Sequence, residues 1–270
     1  MKKYSDLQGN DASKISEQVA EKASALACRM ENISRKIAIV SGKGGVGKSV
    51  VTALFAKYLV STGATVGVLD ADINGSSISN LLGATQNAVQ KTDNGYKPAA
   101  DKNGIFVMSV DYLLDVHKSF TGNTPTWLGA METNVVRELL ADTDWGSLDY
   151  LLIDTPPILS RVGDIKDLLT ELDGAVVVTT ASKVSIKIML KTLRKLAEMK
   201  VNVLGVIENM KELKCEHCGH KNDLFIGENV GKAVGYLAPY LGALPFVPNL
   251  EKVAIDELRD VFISAVDKNN

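Results

Sequence analysis

The stretch Ile37-Ala38-Ile39-Val40-Ser41-Gly42-Lys43-Gly44-Gly45-Val46-Gly47-Lys48-Ser49 constrains this chain more than any other. A β-branched apolar run enters a glycine-rich turn ending in Lys-Ser, and Val50 to Leu59 then carries a helical pattern. Gly42, Gly47, Lys48 and Ser49 match the spacing G-x-x-x-x-G-K-[ST] in the strand–loop–helix setting that this spacing requires. Glycines permit backbone conformations and close approaches that a Cβ would block. The N–H groups from Gly42 through Gly44, Gly45, Val46 and Gly47 can therefore wrap phosphate oxygens. The helix N-terminus, with Ser49 and Val50 in its first turn, adds partial positive charge. Lys48 is placed to reach the β- and γ-phosphates, and the Ser49 hydroxyl to ligate magnesium. This is a nucleotide-binding loop, and ATP with Mg2+ is the expected ligand.

A chain of 270 residues suits one large α/β domain with a sizeable core, at an ordinary 46% hydrophobic content. A formal net charge of -2 gives no electrostatic footprint for nucleic acid, so none is expected as a partner. No apolar run reaches the roughly 18 residues that span a bilayer, and the first residues lack the apolar core of a secretory signal. Three cysteines, two of them in one C-x-x-C, argue against a disulfide framework. The expected compartment is cytoplasmic.

Residues 1–35 read as an N-terminal helical extension. Ile15, Val19, Ala23, Leu26, Met30 and Ile33 recur at three- and four-residue steps as one apolar face. Cys28, near that face, is expected to be a buried thiol. From residue 36 to 270 strands and helices alternate. Strands are expected at 36–41, 65–70, 104–110, 149–154, 174–180 and 201–207, with a weaker one at 243–247. Helices are expected at 48–61, 126–141, 164–172, 185–199, 229–240 and near 250–265. Runs such as Gly174-Ala175-Val176-Val177-Val178 are continuously apolar, as strands buried on both faces of a parallel sheet are. The fold class is therefore α/β with a doubly wound, mostly parallel sheet, and its ligand site lies at the carboxyl ends of the strands. Residues 84–103 are rich in turn formers and read as a hairpin or surface loop.

Two strands end in acids. Val66-Gly67-Val68-Leu69 runs into Asp70-Ala71-Asp72, and Leu151-Leu152-Ile153 runs into Asp154. An acid after an apolar strand beside a P-loop holds magnesium directly or through water, a role assigned to Asp154. Asp72 is expected to orient or deprotonate the attacking water, and Asp70 to support the metal's water shell. The plainer alternative is that such acids cap the following helices.

Lys43 adds specificity. The run Lys43-Gly44-Gly45-Val46-Gly47-Lys48-Ser49 resembles the deviant P-loop of the nitrogenase-iron-protein, MinD and ParA class of dimeric ATPases. That resemblance implies that Lys43 crosses a homodimer interface to the partner's nucleotide, as a cationic stabiliser of the transferring phosphoryl group. Three further stretches narrow it: Asp70 to Ile78, Trp145 to Pro157, and Gly205-Val206-Ile207-Glu208-Asn209-Met210 resemble the Mrp/ApbC family of cytosolic iron–sulfur cluster carrier ATPases. By resemblance to related ATPases, Asn209 is a reader of the adenine base. The chain departs from the family pattern at Val50, at Asn74 to Ser79 and at Trp127 to Met131. It departs most at Pro156-Pro157-Ile158-Leu159-Ser160-Arg161-Val162-Gly163-Asp164, where the family carries its γ-phosphate-sensing switch.

Cys215-Glu216-His217-Cys218-Gly219-His220, in a loop at 211–222, holds two thiols close enough for one metal centre, with Lys211, Lys214 and Lys221 nearby to favour thiolates. Two cysteines are half a four-thiolate site, and a two-fold dimer supplies the other half. The family resemblance implies a 4Fe–4S cluster bridging a homodimer and delivered to apo-protein clients. Zinc, on four thiolates or with a histidine, is the alternative ligand, and a purely structural pair the plainest. The rival reading of the whole chain is a MinD/ParA-like regulatory or positioning ATPase. It predicts a basic surface for DNA or a basic amphipathic C-terminal helix for membrane. The tail from Glu251 to Ile263 is acidic, so no membrane partner is expected.

Overall fold

The computed structural model describes residues 24–72, 75–84, 89–109, 112, 130–157, 160–168, 172–215, 217–225 and 227–266. Residues 24–31 are helical (α1) and lead into β1 (Ile33–Val40). Next come α2 (Lys48–Ser61), β2 (Val66–Asp70), α3 (Ile78–Leu82), the short β3 (Gln90–Thr92), β4 (Gly95–Lys97) and β5 (Ala99–Ala100), and β6 (Phe106–Ser109). The second half holds α4 (Ala130–Asp142), β7 (Leu148–Asp154), α5 (Ser160–Leu168), β8 (Gly174–Thr179), α6 (Lys183–Glu198) and β9 (Val203–Glu208). It closes with β10 (Glu212–Lys214), β11 (Lys221–Asp223), α7 (Val230–Val234), β12 (Tyr240–Ala243) and α8 (Arg259–Val266).

Eight strands form one sheet in the order β12-β9-β8-β1-β7-β2-β6-β5, all parallel except the β5 edge. The sheet is doubly wound around β1, as the alternating βα pattern predicts. Side chains alternate across it. Ile37 and Ile39 face a core shared with α2, α3, α4 and α8, while Ala38 and Val40 face a second core under α6 and α7. Both faces are covered, which is why these strands read as unbroken apolar runs.

Helix α2 is buried on most sides, from Val51 through Leu59, so it too is apolar nearly all round. Phe262 of α8 stacks on Phe55 (5.0 Å between centroids) and on Tyr58 (5.7 Å), fixing the C-terminal helix against the helix that follows the P-loop. At the other end, Leu26 and Met30 of α1 enter the larger core. The buried Lys36 ammonium donates to the carbonyls of Met30 (3.2 Å) and Ile33 (3.1 Å), where the chain leaves that helix.

The main departures from the sequence reading lie at the ends. Cys28 is exposed rather than buried, because Leu26 and Met30 carry the inward face of α1 and Cys28 lies between them. The helix expected at 229–240 stops at Val234, where Gly235 takes a positive φ of 55°. Tyr240–Ala243 then forms the edge strand, ahead of the 243–247 expected. Two 3-10 turns (Leu250–Lys252 and Ile255–Leu258) precede α8 in place of one long helix. Ser160 to Asp164 are helical in α5, so that part of the altered switch stretch is not loop, whereas Ile158 and Leu159 lie outside the described residues. Ile15, Val19, Ala23 and Trp127 to Gly129 also lie outside them. The excursion at 84–103 does contain the expected hairpin: β3 and β4 pair antiparallel across Asp93-Asn94.

Candidate functional site

The loop between β1 and α2 is shaped by its glycines and by what packs behind them. Gly45 and Gly47 take positive φ of 79° and 78°, a region that L side chains rarely adopt. A Cβ at Gly42 would lie 2.2 Å from Thr192 Oγ1, and one at Gly47 would lie 2.3 Å from Asn209 Nδ2. The loop is thus pressed onto α6 on one side and onto the end of β9 on the other. No side chain caps α2 and no acid sits in its first turn, so its leading N–H groups remain directed at whatever occupies the loop. Gly44 is exposed on the loop, Val46 is buried beneath it, and Lys43 is exposed at its tip.

Asn209 sits 2% exposed at the end of β9, with Nδ2 donating to the Val46 carbonyl at 2.9 Å. Its own N–H donates to Thr179 O at 2.7 Å. The residue expected to read a base also holds the phosphate loop in place.

The carboxylates converge as the register dictates. Asp154 pairs with Ile39 of β1 and with Asp70 of β2, which sets the two acids side by side at the strand ends. Asp154 is fully buried; it accepts from Ser49 Oγ (2.6 Å) and Thr52 Oγ1 (2.8 Å) and lies 2.7 Å from Lys48 Nζ. That ion pair is out of hydrogen-bond alignment, and among the described residues the Lys48 ammonium has no aligned acceptor. The set of Ser49 hydroxyl and Asp154 carboxylate consists of the hard oxygen donors that magnesium takes. The loop's inward N–H groups and the lysine suit a triphosphate, so these residues fit Mg2+ and nucleotide together. Thr52 was not foreseen from the sequence, yet its position one helical turn beyond Ser49 is the signal that could have found it.

Asp70 has a different environment. It accepts from Ser76 Oγ (2.8 Å) and from the N–H groups of Ser77 (2.9 Å), Ile78 (3.1 Å) and Asp72 (3.2 Å). It thereby caps α3, whose own N-cap Ser77 makes no side-chain cap. Burial first, and then the negative charge of Asp154, push its carboxyl from 3.8 up to about 6. Asp72 is half-buried in the turn that follows, where its carbonyl accepts from Gly75 N at 3.0 Å.

Beyond Asn209 the chain enters the β10–β11 hairpin, and Cys215 and Cys218 lie in its connecting turn. Cys215 N–H donates to His220 O and Gly219 N–H to Cys215 O, both at 2.8 Å, with Gly219 at φ 72°. These backbone bonds close the tight turn, or knuckle, that carries both cysteines. Neither is in a disulfide; Cys218 is exposed and Cys215 half-buried. No third histidine, cysteine or acid joins them among the described residues. Lys221, expected to favour the thiolates, pairs instead with Glu212 (2.5 Å) across the hairpin. A cleft of about 820 Å³ opens beside the knuckle, lined by Leu213, Cys215, Pro245, Phe246 and Leu258.

The chain is similar to several known proteins. A curated iron–sulfur cluster carrier protein of Methanocaldococcus jannaschii is 40% identical over 80% of this chain and 74% of its own length. A cytosolic Fe-S cluster assembly factor NUBP1 homolog of Brugia malayi is 37% identical over 87% of this chain and 76% of its own. A nucleotide-binding protein of Archaeoglobus fulgidus, solved in complex with ADP and with cobalt present, superposes with a TM-score of 0.70 at 31% identity. That match covers 92% of this chain and 93% of the other. The model of the ParA-type NUBPL iron-transfer P-loop NTPases matches residues 32–269, and this chain belongs to that family.

Proposed function

We propose that this protein is an ATP-dependent carrier of an iron–sulfur cluster, holding a 4Fe–4S cluster between two copies of itself and passing it to apo-protein clients in the cytoplasm. One observation carries the reading: the cysteine hairpin springs from the residue that supports the phosphate loop. Asn209 holds Val46, and two residues later Lys211 donates to Leu244 and receives Leu224 N–H, anchoring the hairpin base. A change in the loop therefore has a path of three residues to the root of the knuckle.

In this reading Lys48 and the α2 N-terminus bind the β- and γ-phosphates. Ser49 and Asp154 hold magnesium, Asp72 orients the attacking water, and Lys43 reaches the partner's nucleotide across a homodimer. Asp70 contributes by fixing the turn that carries Asp72. Each cysteine hairpin offers two thiols, so a four-thiolate site built from these hairpins takes two chains related by a two-fold axis. The names of the relatives, an iron–sulfur cluster carrier and a Fe-S cluster assembly factor, support the cargo.

The test is transfer. Protein loaded with cluster under anaerobic conditions is mixed with the apo form of a 4Fe–4S dehydratase, and recovery of dehydratase activity is followed with and without MgATP. Recovery that exceeds the rate given by free iron and sulfide, and that changes with MgATP, supports the carrier role. Recovery no faster than free iron and sulfide, or unaffected by nucleotide, contradicts it.

A further inference from the structure

Helix α6 carries five cations and one acid in sixteen residues, in a chain whose formal net charge is -2. At about 100° per residue, Lys183, Lys187, Lys191, Arg194 and Lys195 fall within an arc of about 120° on one side of the helix. All five are exposed. Ile186, Met189, Leu193 and Leu196 occupy the opposite side and are buried in the core. Glu198 pairs with Lys195 at 3.0 Å. Among the described residues, no carboxylate pairs with Lys183, Lys187, Lys191 or Arg194. The first turn holds no acid, so Lys183 stands against the helix dipole. This is not how charges arrange themselves when they serve only the helix.

We propose that this face of α6 is a docking site for an acidic helix of a protein partner. Lys183, Lys187, Lys191 and Lys195 step along the axis by about 6 Å each, a total of about 18 Å. Acidic side chains spaced four residues apart on a facing helix repeat at the same interval. The exposed Val184 gives the stripe an apolar contact at its start. Two copies of this stripe laid against each other are excluded, because that contact would set cations against cations. The face carries no aromatic side chain on which the bases of a single strand could stack, and its apolar side is already committed to the core, so it has little to insert into a bilayer. The helix that bears this face also packs on the nucleotide loop, since Thr192 and Ile188 on its adjoining side leave no room for a methyl group at Gly42. The inference is independent of what the cysteines hold.

The probe is a fluorescein-labelled peptide with glutamate at every fourth position on an alanine background, titrated with the full-length protein at low salt. A duplex DNA of 20 base pairs and phosphatidylserine vesicles are measured in parallel. The comparison protein is the triple variant Lys187→Gln/Lys191→Gln/Arg194→Gln, whose exposed positions leave the melting temperature unchanged. The expected result is saturable peptide binding that weakens at least tenfold in the variant and with added salt, with DNA and vesicles bound more weakly than peptide. Absence of peptide binding, equal binding by the variant, or tighter variant-sensitive binding of DNA or vesicles overturns the proposal.

Discussion

Asp70 and Asp154 are register partners at the carboxyl ends of β2 and β7, both buried, yet they do different work. Asp154 gathers Lys48, Ser49 and Thr52 at the start of α2. Asp70 turns the other way, to the N–H groups that open α3. Their proximity means that the charge on one is felt by the other.

The first prediction concerns that coupling. A carboxyl raised from 3.8 to about 6 on folding contributes stability below its unfolded value and loses it as pH rises through about 6. Nucleotide-free protein should therefore lose stability between pH 4 and pH 7, with about 3 kcal/mol attributable to Asp70. Asp70→Asn should flatten this slope. Urea titrations across that range check it.

Lys48 is the cation beside a fully buried Asp154. Lys48→Met leaves that carboxylate without a cation and should cost the nucleotide-free protein about 3 kcal/mol. It should also abolish nucleotide binding. Denaturation and calorimetric titration with MgATP read the two effects separately.

Asn209→Ala removes the donor to the Val46 carbonyl. A lost hydrogen bond to a buried acceptor costs about 1–3 kcal/mol. The effect should appear as nucleotide affinity weakened about tenfold, 1.4 kcal/mol per decade, with a smaller change in global stability. An affinity unchanged from wild type would place the loop's support elsewhere.

Phe262 stacks on two residues of α2. Phe262→Ala should destabilise by about 3–5 kcal/mol. At roughly 2–4 °C per kcal/mol for a chain of this size, the melting temperature should drop by about 6–20 °C. Differential scanning calorimetry measures it.

The sequence carried the site's skeleton because that skeleton is local. The P-loop glycines, Lys48 and Ser49 sit within eight residues, and the strand-end acids announce themselves by the apolar runs before them. The double winding was legible because both sheet faces are covered, which leaves continuous apolar strands. Long-range contacts were less legible. That Asn209 faces Val46, or that Asp70 caps α3 instead of facing Asp154's partners, depends on packing between strands far apart in the chain. Cys28 was misplaced because a helical face was assigned from spacing alone, and one step of the helix carries a residue from core to solvent. Short elements were least legible: α7 and β12 are ended by Gly235 and by edge geometry rather than by hydrophobic period.

The central claim is that Cys215 and Cys218 of two chains hold one cluster. The measurement is anaerobic reconstitution with iron and sulfide, followed by metal analysis, absorbance and mass of the assembly, for wild type and for Cys215→Ser/Cys218→Ser. About four irons per dimer with a broad thiolate-to-iron band near 400 nm, both lost in the double variant, is the predicted result. Tightly held zinc with no cluster, or iron binding that survives loss of both cysteines, would contradict it.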